Sequence, residues 1–181
     1  MLFERLKIKD CYLITPQIYK DERGFFREIF QEVKYSDFTF IPKQVNHSFS
    51  HKNVLRGIHV SPFKKLVSCV FGSILDVCVD LRPDSETYKQ YSSVILNSEN
   101  KRQILIPENC GHAFLSLTDN TNVVYMQDDF YDSKKESSII YNDDSLDIDW
   151  QIDSKELLIS KKDKEFLSFE KWEELYGRKN I

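Results

Sequence analysis

Apolar residues along this chain come in short runs, and polar or turn-forming residues close each run. Cys11–Thr15 is a β-like run ended by Pro16. Asp21-Glu22-Arg23-Gly24 reads as a turn, and Phe25-Phe26-Arg27-Glu28-Ile29-Phe30 follows it. Lys65–Phe71 and Ile74–Leu81 read as two strands joined at Gly72-Ser73, which predicts a hairpin. In the second of these, Val77, Val79 and Leu81 alternate with Asp76, Cys78 and Asp80. That is the period of a sheet with two different faces. Ser92–Leu96, Gln103–Ile106, His112–Leu117 and Thr121–Met126 continue the pattern, with turn residues at 97–100, 107–109 and 119–120. Only the end of the chain carries a helical period. Phe166, Phe169, Trp172 and Tyr176 recur every three or four residues, which predicts a helical tail over about 163–177. Many short strands with regular turns predict an all-β sandwich, barrel or jelly roll. A double-sheet jelly roll would leave a cavity between its sheets, into which alternate side chains of several strands could converge.

Length and composition narrow the picture. The chain has 181 residues, enough for one domain with a sizeable core. Lys and Arg number 25 against 29 Asp and Glu, a net charge of -4, and the signs are interspersed. This is not the basic face of a nucleic-acid binder. No apolar run approaches the length of a membrane span. The four cysteines, Cys11, Cys69, Cys78 and Cys110, form no Cys-x-x-Cys pair, and no signal peptide opens the chain. The expectation is free thiols in a reducing cytoplasm. The content of 13% aromatic residues suits sheets and ring-stacking walls.

The candidate chemistry centres on Asn53-Val54-Leu55-Arg56-Gly57-Ile58-His59, which puts a histidine just after an Arg-Gly step in an apolar run. Histidine is the default proton carrier near neutral pH, although His59 taken alone also reads as a structural histidine. Lys65, His112, Tyr125 and Asp163 each lie in a recognisable local pattern. Together with His59 they suggest proton transfer on a carbon acid. A cupin metal site would call for a His-x-His pair, and none occurs among the 4 histidines.

The ordered set Asp21–Phe26, Gln44–Ser48, Val54–His59, Lys65-Leu66-Val67, Asp76–Arg82, Ile106-Pro107-Glu108, Gly111–Phe114, Asn142-Asp143, Ile148-Asp149-Trp150 and Ser160–Asp163 resembles the dTDP-4-dehydrorhamnose 3,5-epimerase family of nucleotide-sugar epimerases. The resemblance runs from about Leu13 to Asp163. It implies a cupin-type double-stranded jelly roll with a short C-terminal helix, a homodimer, no metal and no organic cofactor. It also implies a nucleotide-linked 4-keto-6-deoxy sugar as substrate, and a role in making deoxysugars for a surface polysaccharide.

By that resemblance His59 is the general base, Asp163 its dyad partner and Tyr125 the general acid, while Lys65 and His112 sit near the carbon-4 oxygen. Arg23, Arg56 and Lys162 match positions for the nucleotide part. Phe26, Glu28, Gln44 and Asn46 match contacts to base or sugar, Tyr131 matches the ring stacked on thymine, and Glu136 a further binding position. Several of these have plainer readings. Asp163 also suits the N-cap of the final helix, Tyr125 and Phe26 suit ordinary strand aromatics, and Lys65 suits a solvated strand end. His47 and His51 receive no role. The chain departs from the family pattern in the short segment Val60–Lys64, in Ser61 where a Gln is common, in Ala113 after His112, and in Glu86. Alternatives are a carbon-3-only epimerase, a GDP-linked 4-keto-heptose epimerase, a 3,4-ketoisomerase and a non-catalytic sugar-nucleotide-binding jelly roll.

Overall fold

A computed structural model describes residues 1–177. In chain order the strands are β1 (Leu2–Arg5), β2 (Tyr12–Thr15), β3 (Tyr19–Asp21), β4 (Gly24–Phe26), β5 (Gln44–Ser50), β6 (Val54–Val60) and β7 (Lys65–Phe71). Then come β8 (Ser73–Asp80), β9 (Tyr91–Asn97), β10 (Gln103–Ile106), β11 (Cys110–Ser116), β12 (Thr121–Gln127), β13 (Ser137–Ser138) and β14 (Leu158–Ile159). Two short helices follow, α1 (Lys161–Lys164) and α2 (Phe169–Tyr176). The first sheet has the order β1-β2-β10-β7-β12-β5, and the second β13-β6-β11-β8-β9, with β14 parallel to β6. This is the double-sheet jelly roll expected of the cupin type.

Three apolar layers hold the sheets. Between them lie Leu13, Val67, Cys69, Ile74, Cys78, Ile104 and Val123. Outside the second sheet, Leu55, Ile58, Val77 and Val79 pack against Trp150, Phe169 and Trp172 from the end of the chain. Outside the first sheet, Ile14, Leu66 and Leu105 are covered by Tyr35 and Phe40. The alternation in β8 therefore separates two buried faces, not a wet face and a dry one: every residue from Ile74 to Asp80 is buried.

Two expectations need correction. β7 and β8 do not form a hairpin. β7 pairs with β10 and β12, whereas β8 pairs with β9 and β11. Gly72 carries the chain across from one sheet to the other at φ +79°, where a Cβ would stand 2.6 Å from Thr118 Oγ1 and 2.7 Å from Thr121 Oγ1. A Gly-Ser step that looks like a hairpin turn is here a sheet-to-sheet corner. The helical tail is also not continuous from 163. It breaks between α1 and α2, where Ile139 forms a parallel bridge with Leu167, and Ser168 caps a fresh helix by accepting from the Lys171 N–H. Within that stripe Phe169 and Trp172 face the core. The run 25–30 leaves strand geometry after Phe26.

Candidate active site

A cavity of about 720 Å³ opens between the sheets. Tyr125 and Lys65 come from the first sheet, on β12 and β7. His59 and His112 come from the second, on β6 and β11, where they pair directly across the strands. Side chains at alternate, inward-facing positions of these strands thus meet from opposite walls.

Asp163 reaches this cavity from α1. Ser160 is the N-cap of that helix: its Oγ accepts from the Asp163 N–H at 3.0 Å and donates to Asp163 Oδ1 at 2.8 Å. Ser160 therefore takes the capping role that the sequence allowed to Asp163, and Asp163 occupies the reciprocal position of a capping box. Asp163 Oδ2 accepts from the Gly57 N–H at 3.1 Å and lies 3.8 Å from His59 Nε2. The edge of Phe166 meets the His59 ring at 5.2 Å between centroids. The imidazole is thus bracketed by a buried carboxylate and an aromatic ring.

Gly57 permits the close approach of β6 to β11. Its φ is +117°, and a Cβ there would stand 2.6 Å from both Ala113 Cβ and the His112 carbonyl oxygen. Gly57→Ala is expected to cost about 2–4 kcal/mol, read as a lowered denaturant midpoint at unchanged m-value.

Burial pushes the Lys65 ammonium down to about 8, opposed first by the Glu136 carboxylate and then by Asp76 and Cys78. Lys65 is 6% exposed, and among the described residues its Nζ meets no hydrogen-bond acceptor; it lies over the Phe63 ring, 5.4 Å from the centroid. Burial also holds His59 below the usual histidine value. Asp163 opposes that shift, and nearby Lys65, His112 and Lys162 add to it. His59 is therefore a neutral base at physiological pH. Burial raises the Tyr125 phenol, Glu136 adds to the rise and Arg56 opposes it. Tyr125 stays protonated.

At one end of the cavity an amide chain fixes Tyr131. Gln44 Nε2 donates to Asn46 Oδ1 at 2.8 Å, Asn46 Nδ2 donates to Gln127 Oε1 at 3.2 Å, and Gln44 Oε1 accepts from the Tyr131 N–H at 2.9 Å. At the other end Arg56 is aimed by Ser50 Oγ and the Phe49 carbonyl, at 3.1 and 3.0 Å. Lys162 also lines the cavity.

The family model for dTDP-4-dehydrorhamnose 3,5-epimerase matches residues 5–171. The chain belongs to this epimerase family. A dTDP-4-dehydrorhamnose 3,5-epimerase of Salmonella typhimurium is 38% identical over 159 residues, 83% of this chain and 86% of the relative. The Mycobacterium tuberculosis RmlC epimerase superposes with TM-score 0.94 at 34% identity, covering 98% of this chain and 92% of its own. A dTDP-6-deoxy-D-glucose-3,5-epimerase of Legionella pneumophila, crystallised with dTDP-4-keto-L-rhamnose, superposes with TM-score 0.88 at 39% identity and covers 92% of each chain.

This family member brings eleven of the expected residues to one cavity: His59, Lys65, His112, Tyr125, Asp163, Gln44, Asn46, Arg56, Tyr131, Glu136 and Lys162. Three lie elsewhere in the single chain. Arg23 and Phe26 sit on the exposed β3–β4 hairpin, with Arg23 paired to Asp21 at 2.6 Å. Glu28 pairs with Lys34 just beyond that hairpin. Four contributors escaped sequence reasoning. Asp76 is fully buried, with Oδ2 2.9 Å from His112 Nε2, so it orients that ring. Gln127 closes the amide chain, Phe166 packs on His59, and Ser61 holds Glu136. The alternating Asp of β8 was the available signal for Asp76, Ser61 stood out as a departure from the family pattern and Phe166 as part of the aromatic stripe, while Gln127 carried no signal. Among the described residues no cluster of three His, Cys, Asp or Glu side chains is arranged to hold a metal. No described helix is long and apolar enough to cross a membrane.

Proposed function

We propose that this chain epimerises a dTDP-linked 4-keto-6-deoxy sugar at carbons 3 and 5, with His59 as base and Tyr125 as acid. The observation that carries this reading is their origin in opposite sheets on the two walls of one cavity. A ketone at carbon 4 acidifies the hydrogens on both neighbours. In a glucose-configured ring those hydrogens share one face, so a single base serves both centres and a single acid on the other wall delivers both new protons. Epimerisation is redox-neutral, so acid and base side chains suffice. Lys65, buried with no described acceptor, suits the developing enolate oxygen, and His112 held by Asp76 supplies a second donor. Asp163 would steady the His59 ring and the imidazolium formed when His59 takes the proton.

Arg56 and Lys162 suit the diphosphate, and Tyr131 suits the face of thymine. The reading includes a homodimer. Phe26 and its neighbours Tyr19 and Phe25 are more than half exposed on a hairpin that pairs only with itself. A second copy would cover them and take up Arg23, Phe26 and Glu28 at its own cavity. A cytoplasmic setting, with deoxysugars made for a surface polysaccharide, completes the reading and suits four free cysteines.

Incubation with dTDP-4-keto-6-deoxyglucose tests it by product structure. Proton couplings of a product inverted at carbons 3 and 5 are expected. A product whose carbonyl has moved to carbon 3 would instead mark a ketoisomerase, and unchanged sugar with bound nucleotide would mark a binding module.

A further inference from the structure

Ser61 is 2% exposed and lies two residues past His59, in the segment that links β6 to β7. Its Oγ donates to Glu136 Oε1 at 2.7 Å. The next residue after Glu136, Ser137, pairs with Val60 across the β13–β6 ladder, so backbone and side chain fasten Glu136 to the same corner of the second sheet. Trp172 adds a third tie, donating from Nε1 to Ser137 Oγ at 2.7 Å. Glu136 lines the cavity and acts on both Lys65 and Tyr125.

The other charges around Lys65 are already engaged. Asp76, from β8, is bonded to His112, and His59, from β6, is paired with Asp163. Cys78, also from β8, is buried in the core. Lys135, beside Glu136 in sequence, turns to Asp129. Of the two carboxylates that act on Lys65, Asp76 is thus engaged by His112, and the Glu136 side chain is held by the Ser61 hydroxyl.

We propose that Ser61 is a positioning residue: it fixes the Glu136 carboxylate as the counter-charge of Lys65 and so sets the upper pH limit of the reaction. Without the hydroxyl the half-buried carboxylate turns toward water, and its attraction for Lys65 weakens in proportion to distance and hydration. Lys65 then loses its proton at lower pH, and the enolate loses its cation. The kinetic part of this inference rests on the epimerase reading; the electrostatic part does not.

Two measurements separate them. Nitrogen-15 NMR titration of the Lys65 Nζ, with no substrate present, should give a midpoint near 8 in the wild type. The midpoint should fall by about one pH unit in Ser61→Ala and in Glu136→Gln, and remain at the wild-type value in Ser61→Thr. The alkaline limb of kcat/KM, which reports the free enzyme, should move by the same amounts. Binding of dTDP by Ser61→Ala, measured by calorimetry, should match the wild type and shows that the variant is folded; if it is not folded, Glu136→Gln decides. An unmoved Lys65 midpoint overturns the inference. A moved midpoint in a protein that exchanges no substrate proton sustains the positioning role and overturns the epimerase reading instead.

Discussion

A Tyr125→Phe variant is expected to exchange substrate protons with solvent while inverting neither centre. In the proposed mechanism His59 removes a proton from one face of the sugar, and its imidazolium trades that proton with water before returning one to the same face. Inversion needs delivery from the opposite wall, where Tyr125 stands on β12 of the other sheet. Loss of the phenol therefore separates two events that the intact site couples. Inversion should fall by about 10²–10⁴ while deuterium wash-in persists. His59→Ala should lose both by a similar factor, because no neighbouring group replaces the base. The comparison is made by proton NMR, reading wash-in from signal loss and inversion from ring couplings. Equal loss of exchange and inversion in Tyr125→Phe would show that Tyr125 is not a dedicated acid on the second face.

The second large effect concerns stability. Replacing Lys65 with methionine should stabilise the fold while removing activity. An ammonium with its ordinary value of 10.5 is held at about 8 by burial, so below pH 8 it is charged in both folded and unfolded chains and the folded state bears the whole desolvation cost. That cost is on the order of 3 kcal/mol. It diminishes as pH rises from about 8 to 10.5, where the folded chain has released a proton that the unfolded chain still holds, and it vanishes above that window. Lys65→Met should therefore melt several degrees above the wild type at pH 7, with the gap closing toward pH 10.5. Turnover should fall by about 10²–10³, the loss of one preorganised charge at the enolate oxygen. A destabilised Lys65→Met protein would mean that the ammonium is structurally satisfied rather than held ready for substrate. For His59 the sign runs the other way in pH: a base held below its ordinary value stays neutral and competent well below pH 6.5, so activity should persist on the acid side.

Many of the strands and most of the cavity residues were legible in the sequence because both leave local signatures, although β1, β3, β5, β13 and β14 were not read as strands. Period-two alternation placed β8, β9, β11 and β12 within a residue or two, and short motifs placed His59, Lys65, His112, Tyr125 and Asp163, which the fold gathers from four strands and a helix. What failed depends on which strands become neighbours. Gly72-Ser73 has the composition of a hairpin turn, yet the pairing of β7 with β10 and β12 is decided by residues more than thirty positions away. The tail kept its three-and-four spacing across a break, because Phe166 answers to the His59 ring while Phe169 and Trp172 answer to the core. Ser61 and Gln127 act through side chains distant in sequence; Ser61 is marked only as a departure from the family's Gln, and nothing local ties either residue to its partner. Arg23 and Phe26, on the β3–β4 hairpin, and Glu28 just beyond it match family positions, yet none of them lines this chain's own cavity, and no local pattern could tell that in advance.

The most direct measurement is proton NMR of dTDP-4-keto-6-deoxyglucose with the wild-type protein in deuterium oxide. Loss of both the carbon-3 and carbon-5 proton signals, followed by the couplings of the doubly inverted sugar, is the predicted result. Retention of both signals under conditions where dTDP binds would contradict the proposed epimerase, and loss of the carbon-3 signal alone would restrict it to one centre.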